Sequence, residues 1–546
     1  MANSRTTFRH PGTPLRRLIA SLVWCCLLTK GTCIAAEPPA FDILLCQGTL
    51  HDGQGSAPVT GDVGISDGKI VSIGDLKSSR ASLRIDCQGL VICPGFIDLH
   101  NHSDTQIIAP LTRGNVNFLL QGCTTVVTGN CGAGPVDAAS YFEQIDAAGA
   151  GTNVAHLLPQ GSLRDQVLGP VNRPSTAAEL DSMRKLTEKA MRDGVWGMST
   201  GLIYIPGSYA PTSELQELAK VVGQHGGFYV SHIRNESKDL LSAIDEALKI
   251  GQASGTRVHI SHFKSSGPEA WGLIRQAAAQ IEAARKAGQV VTADQYPYIA
   301  SSTSLEAMVV PTWAREGGGR GLQQRLGDPQ QTAKIREAIE QDLKQRGPDA
   351  PIRIARYTPQ PPWVGRSLQE IADLEKRVMV DIVLEICRNG GAAAVSFGMH
   401  EDDVRFAMQL PWVATASDGR AYLPGADRPH PRSYGTFARK IGYYSIEKAI
   451  LPLAAAIRSS TGLPAEILGW TDRGYLKAGM IADVTVFHPQ EFRDQATYDD
   501  PHRYSAGVKY VFVNGQPAVY QGQPTGALAG RSIRRKSPLP ATGAGG

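Results

Sequence analysis

Histidine, cysteine and aspartate recur in this sequence where short apolar runs give out. The sharpest instance is PGFIDLHNHSD, residues 94–104, which carries His100-Asn101-His102. Side chains of an extended segment alternate with period two, so both imidazoles point to one side. Cys131 follows in TTVVTGNCG, His232 in YVSHIRNES and His262 in VHISHFKSSG. A thiolate and imidazoles are ordinary zinc ligands. Asp418, in PWVATASDG, adds a carboxylate that can position water, accept its proton and return it to a leaving amine. Asp104 and Asp294 are weaker candidates and read as supporting groups. The chemistry these types serve together is metal-assisted hydrolysis.

Such residues work only if the chain brings them to one place. CTTVVTGN, GVWGMST, GFYVSHI, TRVHISHF, QVVTADQYP and PWVATASDG are strand-like, and they alternate with helical stretches such as TAAELDSMRKLTEKAMRD and TSELQELAKVVGQHG. Repeated strand–helix units predict a parallel α/β architecture, and their number favours a (β/α)8 barrel. Strands ending at the barrel's carboxyl face would make the candidate residues converge. From Phe41 to about Cys93, and again in IADVTVFHP and VKYVFVNGQPAVYQGQP, short strands are separated by turns, among them an Asp-Gly pair and Asn514-Gly515. These two ends are expected to form one small β-sandwich, residues 37–93 and 466–525, interrupted by the barrel at 94–465. A charge- and Gln-rich excursion at about 306–380 is expected over the barrel mouth, and residues 526–546 read as a flexible tail. No solenoid repeat is apparent.

Composition bounds the function. The chain has 546 residues, 42% hydrophobic and 19% charged, which suits a soluble enzyme domain with a smaller companion. The net charge of +4 is local to the leader: residues 1–36 hold Arg5, Arg9, Arg16, Arg17 and Lys30 with no acid, so removing those five leaves −1. A nucleic-acid partner needs a basic field that this remainder lacks. Arg16-Arg17 ahead of the apolar run Leu18–Leu28 and the small residues Ala35-Ala36 read as an export signal over 1–36, too short for a stable membrane span. The expected location is the periplasm or the exterior. Three of the nine cysteines fall in that leader; the other six permit disulfides without requiring them.

The pieces PGFIDLHNHSD, GCTTVVTGNCG, GMSTGLIYIPGSYA, SHIRNES, SHFKSSG, DQYPY, ASDG and HPRSYGTF make the chain resemble the N-acyl-D-amino-acid deacylases, or D-aminoacylases, of the amidohydrolase superfamily over about residues 41–525. The resemblance implies a distorted (β/α)8 barrel with a small β-sandwich built from both ends. It implies one tight zinc site on Cys131, His232 and His262, and a second, weaker metal position on His100 and His102. Cys131 stands where more distant relatives carry a bridging carboxylated lysine. The implied reaction is zinc-dependent hydrolysis of an N-acyl-D-amino acid to a carboxylate and a free D-amino acid, with Asp418 moving the proton. Lys264, Tyr296, Ser302 and Arg432 match the groups that hold the substrate carboxylate, with Tyr298 a neighbouring alternative to Tyr296. The sequence departs from the pattern at His262-Phe263-Lys264, where a second histidine is common, and in the longer run before Asp418. Two other readings compete. A hydantoinase-like or dihydroorotase-like amidase of the same superfamily would call for the carboxylated lysine. A non-catalytic zinc-containing binding protein would have no use for Asp418. No GxGxxG fingerprint supports an oxidoreductase, and the residues leave the oligomeric state open.

Overall fold

The computed structural model describes residues 40–536. The expected export signal at 1–36 and the last ten residues lie outside that range. No helix among the described residues is long and apolar enough to cross a membrane.

Strands from early and late in the described residues meet in one nine-stranded sheet. From one edge its order is Gln523–Pro524, Gln516–Tyr520, Val508–Val513, Val484–Phe487, Val91–Pro94, Phe41–Leu50, Val59–Ser66 and Lys69–Gly74, with Ala81–Asp86 paired to Phe41–Leu50. Both turn pairs singled out in the sequence take the left-handed backbone a two-residue hairpin demands: φ is 49° and 71° at Asp67-Gly68, and 51° and 78° at Asn514-Gly515. Alternate residues, among them Ile43, Leu45, Val63, Ile65, Ile92, Val484, Val486 and Phe512, bury one apolar face. Strands some 390 residues apart in sequence therefore share a core.

Between these ends the strands are parallel. Phe96–Asp98 pairs with Cys123–Thr128, which pairs with Asn153–His156. Past Leu157, the continuation Leu158–Pro159 starts a second run through Gly197–Gly201, Phe228–His232, Arg257–Ile260, Val291–Gln295 and Val413–Thr415. The last strand returns to the first: Asn101 and Gly419 form a parallel bridge, and the Asp418 N–H donates to the His100 carbonyl (2.8 Å). Asp98 locks this junction, accepting from the Ser417 N–H (2.8 Å) and hydroxyl (2.5 Å) and from the Asn101 amide (2.8 Å). Helices on one side of the strands supply Met183, Leu215, Leu218, Ile244 and Ile281 to a core with Met198, Tyr229 and Val258. Phe228 and Val230 face the other way, into a cluster with Ile97, Val127, Ala155 and Ala414. The helix Ala177–Asp193 shows how local sequence sets the ends: Thr176 and Glu179 close a capping box, and Gly194 stops it in the left-handed region.

Two expectations are revised. The excursion is wider than 306–380, because strands Ser301–Ser304, Ile352–Arg356 and Ala393–Ser396 form an antiparallel sheet at its base, over a core containing Leu305, Leu322, Ile354, Trp363 and Ile382. A Ser/Thr run such as SSTS carries no apolar alternation to announce a strand. The tail expected from 526 is docked as far as it is described. The Ile533 N–H donates to the Val154 carbonyl (2.7 Å), the Arg535 N–H to the Gly194 carbonyl (2.8 Å) and the Trp196 indole to the Ile533 carbonyl (2.7 Å). These are backbone contacts, so the segment's polar composition did not reveal them. Gly530 is required there, since a Cβ would lie 2.0 Å from the Thr152 carbonyl.

Candidate functional site

Each candidate residue sits at or just past the carboxyl end of a parallel strand. His100 and His102 follow Phe96–Asp98, Cys131 follows Cys123–Thr128, His232 ends Phe228–His232, His262 follows Arg257–Ile260, and Asp418 follows Val413–Thr415. Three of these positions leave ordinary backbone space: φ is 52° at Cys131, 36° at His262 and 50° at Asp418. Left-handed geometry at non-glycine residues costs energy and concentrates at functional sites. The loop under Cys131 is pinned on both sides. The Gly129 N–H donates to Asp104 Oδ1 (2.7 Å), the Ser199 hydroxyl donates to the Gly129 carbonyl, and the Gly132 N–H donates to Ser199 Oγ (3.0 Å). Gly129 has φ 77°, and a Cβ there would lie 2.1 Å from the Leu157 carbonyl, so only glycine fits.

These loops gather sulfur and nitrogen donors into one buried cluster. Cys131 Sγ lies 3.2 Å from His100 Nε2, 3.5 Å from His232 Nδ1 and 3.7 Å from His262 Nε2, and the last two nitrogens are 2.9 Å apart. Burial alone would raise the Cys131 thiol, but the charge of His100 and hydrogen bonds from His100, His102 and His232 bring it well below its usual value. His102 Nε2 lies 3.0 Å from Asp418 Oδ1, and His100 Nε2 3.5 Å from the same oxygen. Burial opposes charge on His102 too, but its contacts with Asp418 and Cys131 raise it to about 9. A metal ion fits this set. Soft sulfur beside several imidazoles is zinc's donor chemistry. The triads His100–Cys131–His262, His100–His102–Asp418 and His232–Glu236–His262 each bring ligand atoms within 4.8 Å of one another.

Three supporting groups were underrated or missed in the sequence. Asp294, ranked only as a weaker candidate, has Oδ2 at 3.3 Å from His100 Nδ1 and 3.0 Å from His259 Nε2, while Oδ1 accepts from the His262 N–H (2.6 Å). Burial disfavours its charge, yet His100 and His259 hold it below the ordinary carboxylate range. Glu236, four residues beyond His232, accepts from Lys264 Nζ (2.7 Å) and lies 2.8 Å from His262 Nδ1. Tyr204 packs its ring 5.1 Å from that of His232 and hydrogen-bonds Thr303 (3.0 Å). Glu236 lies in irregular chain past the end of Phe228–His232, so no strand period marked it in the sequence.

The expected substrate-holding residues form the next layer. Arg432 NH1 donates to Asp418 Oδ2 (2.7 Å) and NH2 to the Ser302 carbonyl (3.0 Å), with the guanidinium 5.0 Å above the Tyr296 ring. Burial raises the Asp418 carboxyl, but Arg432 and His100 outweigh it and hold it well below its usual value. Lys264 Nζ lies 5.6 Å over the same ring. The Tyr296 hydroxyl is buried and unpartnered. The Ser302 hydroxyl donates to the Ala394 carbonyl (2.9 Å). Tyr298 stands apart, lining a separate cavity with Arg439 and Asp494. The main cavity, of about 890 Å³, is bounded by His102, Cys131, Tyr204, Ser302, Asp418 and Arg432, and the excursion supplies part of its wall. That volume suits a small-molecule ligand.

Known proteins are similar to this chain over most of its length. A family model described as the amidohydrolase family matches residues 84–519. The D-aminoacylase of Alcaligenes xylosoxydans xylosoxydans is 34% identical over 523 residues, spanning 92% of this chain and 99% of that protein. The N-acyl-D-glutamate deacylase of the same organism is 35% identical over 91% of this chain and 97% of its own. The crystal structure of N-acyl-D-glutamate deacylase from Bordetella bronchiseptica, complexed with zinc and a phosphonate mimic of the tetrahedral intermediate, superposes with a TM-score of 0.77 at 32% identity. It covers 90% of this chain and 99% of that one.

Proposed function

The chain belongs to the amidohydrolase family, among the D-aminoacylases, and from that premise we propose that it hydrolyses N-acyl-D-amino acids to a carboxylate and a free D-amino acid with zinc as cofactor. One observation carries the reading: a buried thiol–imidazole cluster opens on a cavity that also holds a carboxylate and a paired guanidinium. Cys131, His232 and His262 would hold the tight zinc; His100 and His102 would offer a second position. Zinc bound there supplies Lewis acidity, lowering the pKa of water and polarising the amide carbonyl.

The chain's own groups do the rest. Arg432 and Ser302, which line the cavity, bind the substrate's α-carboxylate, with Lys264 and the unpartnered Tyr296 hydroxyl packed behind them. Asp418 accepts a proton from the attacking water and passes it to the amide nitrogen, so the amine leaves neutral and no acyl-enzyme forms. Arg432 also ties binding to chemistry. An incoming carboxylate shares the guanidinium that otherwise holds Asp418 Oδ2 at 2.7 Å, which frees that oxygen as a base.

The finer architecture follows the same reading. Counting Asn153–Pro159 once, the parallel strands are Phe96–Asp98, Cys123–Thr128, residues 153–159, Gly197–Gly201, Phe228–His232, Arg257–Ile260, Val291–Gln295 and Val413–Thr415. The Asn101–Gly419 bridge supports their closure as a distorted (β/α)8 barrel. The one apolar cluster shared by strands from both ends of the nine-stranded sheet, with Ile43, Ile92 and Phe512 in it, supports a small β-sandwich. Residues 1–36 act as an export signal, placing the mature enzyme in the periplasm or outside the cell.

The test is hydrolysis of paired N-acyl-D- and N-acyl-L-amino acids by the zinc-loaded protein beside Asp418→Ala. Asp418-dependent release of D-amino acids alone is expected. Turnover of the L-series instead would overturn the stereochemical assignment, and no turnover across the panel would overturn the activity.

A further inference from the structure

His262, Lys264 and Glu236 form a closed triangle behind the proposed zinc site. Glu236 Oε1 lies 2.7 Å from Lys264 Nζ and 2.8 Å from His262 Nδ1, and Lys264 Nζ lies 2.8 Å from that same Nδ1. His262 and Lys264 are 2% and 6% exposed, so water cannot easily arbitrate among the three. The two neighbours of Nδ1 make opposite demands. A carboxylate requires Nδ1 to carry hydrogen and donate, which leaves Nε2 with a free lone pair. An ammonium requires Nδ1 to accept, which puts the hydrogen on Nε2. A neutral imidazole cannot satisfy both. Nε2 is the nitrogen that faces Cys131 Sγ (3.7 Å) and His232 Nδ1 (2.9 Å).

We propose that Glu236 is a positioning residue that sets the His262 tautomer for metal binding by occupying the Lys264 ammonium and accepting the Nδ1 hydrogen. This rests on His262 being a zinc ligand, as proposed above. Lys264 stands close by, packed behind the groups that bind the substrate carboxylate, and its cost is that, left alone, it would donate to Nδ1 and close the lone pair at Nε2. Among the described residues, its only other acceptor in reach is the His262 carbonyl (3.2 Å). Glu236 cancels that cost. Its loop follows Phe228–His232, so one chain segment delivers both a ligand and the group that orients another.

The prediction is a rescue that simple loss of structure would not produce. Zinc affinity is measured by chelator competition, with melting curves as the fold control. Glu236→Ala should weaken zinc by about 10–100-fold, the usual cost of losing a partner behind a ligand. Lys264→Met alone should leave zinc affinity near that of the parent protein. Added to Glu236→Ala, Lys264→Met should restore most of the lost affinity, because the competing donor is gone. Glu236→Gln, whose amide oxygen can still accept from Nδ1, should lose less than Glu236→Ala. In the metal-free protein, the nitrogen chemical shifts of His262 should report hydrogen on Nδ1 in the parent and on Nε2 in Glu236→Ala. Unchanged zinc affinity in Glu236→Ala, or a double variant no better than Glu236→Ala, overturns the inference. His262→Ala separates the two levels: if it keeps tight zinc, the ligand assignment itself falls.

Discussion

Replacing Asp418 by Asn should cost turnover far more than binding, and the two costs can be worked separately. The substitution keeps the side-chain shape and removes the charge. Arg432, whose side chain is only 9% exposed, then keeps the Ser302 carbonyl and a neutral amide oxygen as partners. Stranding one member of a buried ion pair costs about 3–5 kcal/mol, and the retained amide oxygen argues for the lower figure. With an unfolding entropy of about 2.1 cal/mol/K per residue over about 500 residues, about 3 kcal/mol lowers Tm by about 3 °C. That is measurable and leaves the protein folded. Loss of a general base typically costs about 10²–10⁴ in rate, or about 3–5 kcal/mol of barrier. KM for the substrate should hold or fall, because the guanidinium no longer has a carboxylate to give up. The assay is steady-state release of free amino acid from an N-acyl-D-amino acid by both zinc-loaded proteins, beside their melting curves. A kcat within a few-fold of the parent, with the whole loss in KM, would refute Asp418 as the proton carrier and leave it a mere partner of Arg432.

Other outcomes follow from buried groups. Cys131→Ala should release zinc on dialysis under conditions where the parent retains it, as read by metal analysis; equal retention would remove the thiol from the ligand set. Arg164 is fully buried and its NH1 reaches both oxygens of Glu214 (2.9 and 2.7 Å), so Arg164→Leu alone should cost about 3–5 kcal/mol. Adding Glu214→Leu should recover part of that in a thermal melt, and a doubly worse double variant would show the pair is not the cause. Asp294 is held below the usual carboxylate value, so below about pH 4 the unfolded chain binds more protons than the native one. Its contribution is present above that pH and lost as pH falls; denaturant titrations between pH 3 and 6 should show a shallower acid loss in Asp294→Asn, and an unchanged slope would contradict the assignment.

The sequence revealed most where chemistry and periodicity coincide. His100 and His102 were legible because their spacing matches the strand period, and the runs before His232 and His262 are apolar enough to announce strands. Glu236 was not, because an acid in the polar stretch Arg234–Ser237 looks like a solvated loop until the fold turns it toward His262. Asp294 sat inside a strand, where its reach across to His100 depends on how neighbouring strands pack. The Asp418–Arg432 pair spans 14 residues of chain, and no local rule foretells that the guanidinium proposed to hold substrate rests on the proposed base. The strands Ser301–Ser304 and Ala393–Ser396 were not legible, since they carry serine and alanine in place of an apolar alternation.

The pairing of Val91–Pro94 with Val484–Phe487 also sets a timetable for synthesis. The Cys93 thiol and the Thr485 carbonyl it meets at 3.7 Å are 392 residues apart. At about 5–20 residues per second, a ribosome needs about 20–80 s to make the intervening chain. Throughout that interval VICP has a neighbour on one side only, through Thr49 and Leu50, and its other edge presents apolar residues with unpaired backbone groups. Such an edge is a template for pairing with other nascent chains. The sheet is therefore completed only after the catalytic strands have been made, and protection of its first half during translation falls to whatever binds nascent chains in the cell.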